Sequence, residues 1–365
     1  MAPAEIVSLP LSSFTKPTKR PFLIAGPCGV ESENQIHTIA SSLRNFPVSL
    51  LRGGIWKPRT RPGSFQGIGS EGLKWLKDAG KENGMEVTVE VASPAHVEDA
   101  LKAGIDVLWI GARTTVNPFL VQQIADSLAG VDIPIMIKNP VNPEFELWLG
   151  AFERMNKAGI QKLIAIHRGF SSSEQSRYRN IPLWQIPIEL KRRYPDLPLL
   201  CDPSHISGTT EYILPISQYA MDLNFDGLMI EVHNNPEKAL SDKEQQLTPD
   251  RLNEVLNDLV IRKTSADVLF MSLIEDLRSR IDLLDEKLLL LLEERMAVAR
   301  EIGQYKKDNN MTVLQVERWN EILRTRLQSG EIKELHANFI IQLYSLIHEE
   351  SIRQQTEVMN EKIVI

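Results

Sequence analysis

Short runs of Val, Ile and Leu recur along the first 235 residues, and few of them alternate with polar positions for long. They read "PFLIAGPCGVE", "VSLLRGGIWKPRT", "MEVTVEVAS", "DVLWIGART", "IPIMIKNPVNP", "QKLIAIHRGF", "LPLLCDPSHISG" and "DGLMIEVHNNP". Stretches of helical periodicity lie between them, such as "PAHVEDALKAG" and "NPFLVQQIADSLAG". Brief apolar runs of this kind suit strands buried on both faces. Strand and helix repeated eight times predict an α/β fold, a parallel (β/α)8 TIM barrel, with a doubly wound open sheet as the next architecture.

A parallel barrel keeps its active-site groups at the C-terminal ends of its strands. Here those ends carry Cys28, Arg52 to Arg59, Glu90, Arg113, Lys138, Arg168, His205 and Glu231. One charged group at a strand end is an ordinary solvated turn, but a whole series at the same end points to a site. Two chemistries separate. Cys28, His205 and Glu231, with Asp242 as a further candidate, offer a thiolate, an imidazole and carboxylates. That mixture suits a divalent transition metal (Mn, Fe, Co or Zn) and is too soft for Mg or Ca. Arg52, Lys57, Arg59, Arg113, Lys138 and Arg168 form the second set. So many cations around one mouth repel one another unless they face polyanions, and phosphates and carboxylates are their natural partners. A metal beside a multi-anion pocket suits polarisation of a carbonyl while phosphorylated substrates are held.

Composition narrows the class. The chain has 365 residues, 42% hydrophobic and 24% charged, which is ordinary for a globular protein with a sizeable core. A net charge of −7 disfavours nucleic acid as a partner, and anionic substrates then need locally placed positive charge. Two cysteines, Cys28 and Cys201, give no disulfide framework and suit a reduced compartment. No signal-peptide core opens the chain, and the leucine run Leu288 to Leu292 is far short of a membrane span. A cytoplasmic location is expected, with no membrane partner.

"KPRT" (Lys57 to Thr60) followed by "SFQG" resembles the 3-deoxy-D-arabino-heptulosonate 7-phosphate (DAHP) synthases, and "GPCGVES", "GART", "IKNP", "HRGF", "DPSHISG" and "IEVHNNP" follow the family's motifs. The likeness covers roughly residues 20 to 262 and is closest to the short class I beta branch. It implies condensation of phosphoenolpyruvate with erythrose 4-phosphate and release of phosphate. By position it implies Cys28, His205, Glu231 and Asp242 as metal ligands. Arg113, Lys138 and Arg168 would hold the phosphoenolpyruvate phosphate, Arg52 and Lys57 its carboxylate, and Arg59 and Thr60 the phosphate of erythrose 4-phosphate. Lys57 is the candidate proton donor to the new hydroxyl. The related 3-deoxy-octulosonate 8-phosphate synthases lack the proline-arginine-threonine after the lysine, so "KPRT" favours the four-carbon acceptor.

After "LTPDRLNEVLNDLVIRK" the composition shifts: glycine nearly vanishes and charges interleave with leucine. Domain bounds of 1–262 for the barrel, 263–270 for a linker and 271–365 for an all-α domain of three helices follow. One long helix is predicted from about Ser272 to Lys306, roughly 50 Å at the usual rise. At 100° per residue, Leu277, Ile281, Leu284, Leu288, Leu291, Val298 and Ile302 share a stripe, which predicts pairing with a second copy of the chain. Arg295 and Lys306 fall within the same stripe, where a buried anionic ligand would offset the cost of burying their charge. Shorter helices are predicted near Val316 to Gln328 and Leu335 to Asn360, with Ser351 and Gln355 one turn apart.

"LRSRIDLLDEKLLLLLEERMAVAREIGQYK" resembles the all-helical chorismate mutases over roughly residues 271 to 356. Those enzymes are intertwined dimers that rearrange chorismate to prephenate. By position, Arg278, Arg295 and Arg318 would contact the two carboxylates, Lys306 and Gln355 would hydrogen-bond the ether oxygen, and Ser351 would line the site. Two positions depart from the family: Trp319 stands where a carboxylate follows the arginine, and Gln315 where an acid is common. The expected protein is therefore bifunctional, with prephenate feedback on the synthase acting from the C-terminal side. The competing reading makes the helices mainly a prephenate-binding and dimerising module with little turnover.

Overall fold

The computed structural model describes residues 6–15, 20–57, 63–172, 176–263 and 268–360, with side chains of the last segment from 271 onward. Arg59 and Thr60, expected to hold a phosphate, lie outside the described residues. The chain divides into two compact units, Met1–Thr264 and Ser265–Ile365.

The first unit is a closed barrel of eight parallel strands in sequential order. They are β1 (Phe22–Gly26), β2 (Val48–Arg52), β3 (Glu86–Val91), β4 (Val107–Ile110), β5 (Ile135–Lys138), β6 (Leu163–His167), β7 (Leu199–Cys201) and β8 (Gly227–Glu231). β1 and β8 close the ring in register from Phe22↔Gly227 to Gly26↔Glu231. Alternate side chains point inward, and Phe22, Ile24, Trp109, Met136, Ile166 and Met229 are among those that fill the interior. The opposite set packs outward against the helices, which is why the runs read as continuously apolar.

Local chemistry starts several of the helices. Ser93 and Thr248 cap helices Pro94–Lys102 and Pro249–Asp258 by accepting from backbone N–H groups, and each helix begins with proline. Proline fits there because its missing N–H would be unbonded in any case. Gly26 ends β1 at φ +145, and a Cβ there would lie 2.2 Å from the carbonyl oxygen of Arg52. Only glycine lets the ends of β1 and β2 come so close, and this brings the Cys28 segment beside Arg52 and Lys57.

The second unit holds three helices: α1 (Val268–Asp308), α2 (Val316–Ile332) and α3 (Ala337–Asn360). At 41 residues α1 is about 60 Å long. α3 lies along the C-terminal part of α1, where a Cβ on Gly303 would come within 3.0 Å of Gln355 Cα. Along the first half of α1, Leu277, Ile281, Leu284, Leu288 and Leu291 are each more than half exposed.

His167, at the end of β6, is fully buried among Phe170, Trp184 and Phe225, and neither ring nitrogen has a hydrogen-bond partner among the described residues. Burial, and then the charge of Arg168, pushes its pKa down to about 3. The unfolded chain binds a proton there near pH 6.5 and the barrel does not. Between those values the unfolded state holds more protons, so the barrel loses stability as pH falls below about 6.5. His167→Phe should flatten this slope by up to about 1.4 kcal/mol per pH unit. Acid unfolding followed by circular dichroism should then shift to lower pH, with little change at pH 7.

Candidate active sites

The strand ends converge at one mouth. Cys28 follows β1 by two residues, and Glu231 ends β8. Asp202 follows β7 and caps the short helix Pro203–Ser207, which carries His205. Asp242 lies in the loop after β8 at φ +45. Cys28 Sγ is 3.2 Å from Asp242 Oδ2, and His205 Nε2 is 3.8 Å from Glu231 Oε1. Each of these groups meets a cation or a cation's partner. Lys57 Nζ lies 2.8 Å from Cys28 Sγ, Arg52 contacts Glu231 Oε1 at 3.0 Å, and Arg179 donates to Asp242 Oδ1 at 2.9 Å. His205 Nδ1 is 2.8 Å from Asp202 Oδ2, which also accepts from Lys138 Nζ at 2.7 Å.

These pairings set the protonation states. Burial, helped by Glu231 and opposed by Lys57, pushes the Cys28 thiol up to about 12. Burial would also raise the carboxyls, but positively charged neighbours win, His205 among them only in its protonated form at acid pH. His205, Arg52 and Lys57 hold Glu231 below the usual range. Arg179 and His205 hold Asp242 lower still, and His205, Lys138 and Arg52 keep Asp202 well below. Burial, and then Lys138, lowers His205, so its ring is neutral at pH 7 despite Asp202 and Glu231. A protonated thiol, a neutral imidazole and two carboxylates form a donor set that fits a transition metal, provided the thiol proton leaves. Apart from its ion pair with Arg52, the buried Oε1 atom of Glu231 has no hydrogen-bond partner among the described residues, which leaves it open to a ligand role. Three of the four side chains are nevertheless engaged with cations and His205 with Asp202, and no group of three metal-ligating side chains is closed among the described residues.

Beside this set is a small cavity of about 50 Å³, whose lining includes Glu90, Arg113, Lys138, Arg168 and His205. Lys138 and Arg168 are buried, and burial lowers both, Arg168 to about 10. Arg168 is held by Asn180, whose Oδ1 accepts from it at 2.7 Å. Arg113 stands exposed on the short helix Ala112–Thr115 and makes no ion pair or hydrogen bond with the described residues. Trp109 lies beneath the mouth, with Arg52 and Lys138 over its ring at 5.2 and 5.9 Å. Its Nε1 donates to Glu90 Oε2 at 3.2 Å.

Sequence reasoning missed Asp202, Arg179 and Asn180. Asp202 had a signal, since an acid before proline in "DPSH" is a helix start. Arg179 and Asn180 sit in an irregular loop, "RYRN", and only the folded chain shows what they touch.

The second unit contains a cavity of about 350 Å³. Arg295, Lys306, Gln315, Arg318, Ser351 and Gln355 all line it, so the expected helical set converges with one exception. Arg278 sits on the exposed first half of α1, pairs with Glu275 at 3.2 Å and does not line the cavity of its own chain. Lys306 is buried, and its Nζ donates to Gln355 Oε1 at 3.0 Å and to the carbonyl of Val313 at 2.5 Å. Arg295 donates to Ser351 Oγ at 2.5 Å. Burial lowers the pKa of both cations. Trp319 does not line the cavity but stacks on His348, which does, with ring centroids 4.1 Å apart.

Two family models match the chain, one over each of its units. Residues 15–266 match the DAHP synthetase I family, and residues 277–356 match chorismate mutase type II. The phospho-2-dehydro-3-deoxyheptonate aldolase of Thermotoga maritima is 33% identical over 247 residues, 68% of this chain and 70% of that protein. A 2-dehydro-3-deoxyphosphooctonate aldolase of Campylobacter jejuni is 27% identical over 270 residues, 66% of this chain and 96% of that one. The crystal structure of the Thermotoga maritima DAHP synthase superposes with a TM-score of 0.59, covering 65% of this chain and 67% of that chain. The chain belongs to the DAHP synthetase I family and carries a chorismate mutase type II domain after its barrel.

Proposed function

We propose that the barrel condenses phosphoenolpyruvate with erythrose 4-phosphate, and that the helical cavity rearranges chorismate to prephenate. The barrel reading is supported above all by the interleaving of charges: a thiol, an imidazole and two carboxylates stand against a set of buried cations. Cys28, His205, Glu231 and Asp242 would hold a divalent Mn, Fe, Co or Zn ion, which supplies Lewis-acid polarisation of an aldehyde when bound. Arg113, Lys138 and Arg168 receive the phosphate of phosphoenolpyruvate, and Arg52 and Lys57 its carboxylate. Arg59 and Thr60 take the phosphate of the acceptor. The methylene carbon of phosphoenolpyruvate bonds to the aldehyde carbon, the aldehyde oxygen becomes a hydroxyl, and water adds at the carbon from which phosphate departs. Lys57 donates the proton to that hydroxyl.

In the helical unit the rearrangement is unimolecular, so catalysis there means holding one conformer and stabilising charge on the breaking ether. Lys306 and Gln355, already 3.0 Å apart, present hydrogen bonds to that oxygen. Arg295 and Arg318 pair with the carboxylates, and Ser351 orients Arg295. The exposed stripe of α1 supports a dimer, in which Arg278 reaches the cavity of the second copy. Prephenate, as the product of this cavity, would also slow the synthase. The alternative, a prephenate-binding and dimerising module with little turnover, is favoured by the absence of a carboxylate at Trp319.

Exhaustive chelation should abolish consumption of phosphoenolpyruvate, and Mn²⁺ should restore it. Activity that survives chelation removes the metal from the reaction. Erythrose 4-phosphate should be consumed in preference to a five-carbon sugar phosphate. Arg295→Ala in the full chain should lower chorismate kcat/KM by about a hundredfold or more. A wild-type chain that binds prephenate yet turns over no chorismate would establish the regulatory alternative. Arg52→Ala should cost the barrel about 3–5 kcal/mol in denaturant unfolding, because it strands Glu231 as a buried unpaired charge.

A further inference from the structure

One oxygen in the barrel mouth has two claimants. Asp202 is fully buried, and its Oδ2 lies 2.7 Å from Lys138 Nζ and 2.8 Å from His205 Nδ1. Its other oxygen is committed, accepting from the backbone N–H of His205 at 3.0 Å. Lys138 donates to Oδ2. The imidazole Nδ1 lies within hydrogen-bond distance of the same oxygen. Two donors on one oxygen weaken each other, and in a site shielded from water that competition is not masked by solvent. The far nitrogen of the same ring, Nε2, faces Glu231 at 3.8 Å. How firmly Nδ1 is held decides the tautomer and how strongly Nε2 can donate to a cation.

We propose that Asp202 is a positioning residue that couples the two ends of the barrel site, passing Oδ2 from Lys138 to His205 when an anionic substrate engages the lysine. This rests on the reading that Lys138 holds a phosphate and His205 a metal ion. A phosphate that draws Lys138 Nζ away leaves Oδ2 to the ring alone. The ring turns its Nδ1–H onto the oxygen and presents the lone pair of Nε2. In the other direction, a cation on Nε2 polarises the Nδ1–H bond, attracts Oδ2 to the ring and loosens Lys138 for phosphate. Each ligand thereby favours the other, as linkage requires. Direct attraction between metal and phosphate has the same sign, so the distinguishing feature is that part of the coupling passes through one carboxylate.

A double-mutant cycle on the metal-free full chain isolates that part, with Mn²⁺ affinity read by competition with a chelator. Without any substrate, Lys138→Met should tighten Mn²⁺ by about tenfold. In the Asp202→Asn background the same change should alter Mn²⁺ affinity by less than about twofold. Equal tightening in both backgrounds would make Lys138 a merely repelling charge and overturn the proposal. Failure of the underlying reading looks different: the wild-type chain would then show no saturable Mn²⁺ uptake, and the proposal would fall with it. Should Asp202→Asn not fold, histidine-labelled wild-type protein answers the question by nuclear magnetic resonance. Adding phosphoenolpyruvate to the metal-free chain should move the His205 Nδ1 proton downfield, and an unmoved resonance overturns the proposal.

Discussion

The buried pairing of Arg52 with Glu231 is the interaction on which the barrel mouth depends. Both side chains are almost wholly removed from water, and they join the end of β2 to the end of β8 across β1. Burying one such charge alone is expensive. The same problem recurs around the rim with Lys138 and Asp202, and Arg179 and Asp242. The mouth holds its cations by holding anions beside them. A substrate phosphate or carboxylate can therefore exchange one partner for another without exposing a bare charge to an apolar wall.

That arrangement needs a rigid frame, and the barrel interior supplies it. Trp109 fills the top of the interior, places its ring under Arg52 and Lys138, and ties its N–H to Glu90. Gly26 lets two strand ends approach closely enough for Cys28 and Lys57 to meet. Asp202 closes a helix start and at the same time faces Lys138 and the ring of His205.

The helical unit solves a related problem with fewer means. Its cavity is lined by aliphatic side chains as well as cations; Arg318 is paired with Glu321, but Arg295 and Lys306 are satisfied by neutral groups: a serine, a glutamine and a backbone carbonyl. Neutral partners leave the positive charge uncompensated, which is what a small dianion requires. The exposed leucines of α1 belong to the same design. Along the first half of this helix, about 60 Å long in all, they form a stripe that stays more than half exposed.

Strand number, the polar chemistry at strand ends and the long amphipathic helix were legible in the residues, because periodicity and end-of-strand polarity are local properties. The cations and the sulfur, nitrogen and oxygen donors could likewise be sorted by chemistry alone. Their pairing could not. Lys138 and Asp202 are 64 residues apart, and Arg179 and Asp242 are 63 apart. Which of them touch is decided by the register of the barrel and by single glycines. Arg278 shows the same limit from the other side, for it shares the helix of Arg295 and yet lies outside the cavity of its own chain. The sequence by itself determined which charges gather at one end of a barrel. Only the tertiary structure decided which charge neutralises which, because that depends on distances of a few ångströms between segments far apart along the chain.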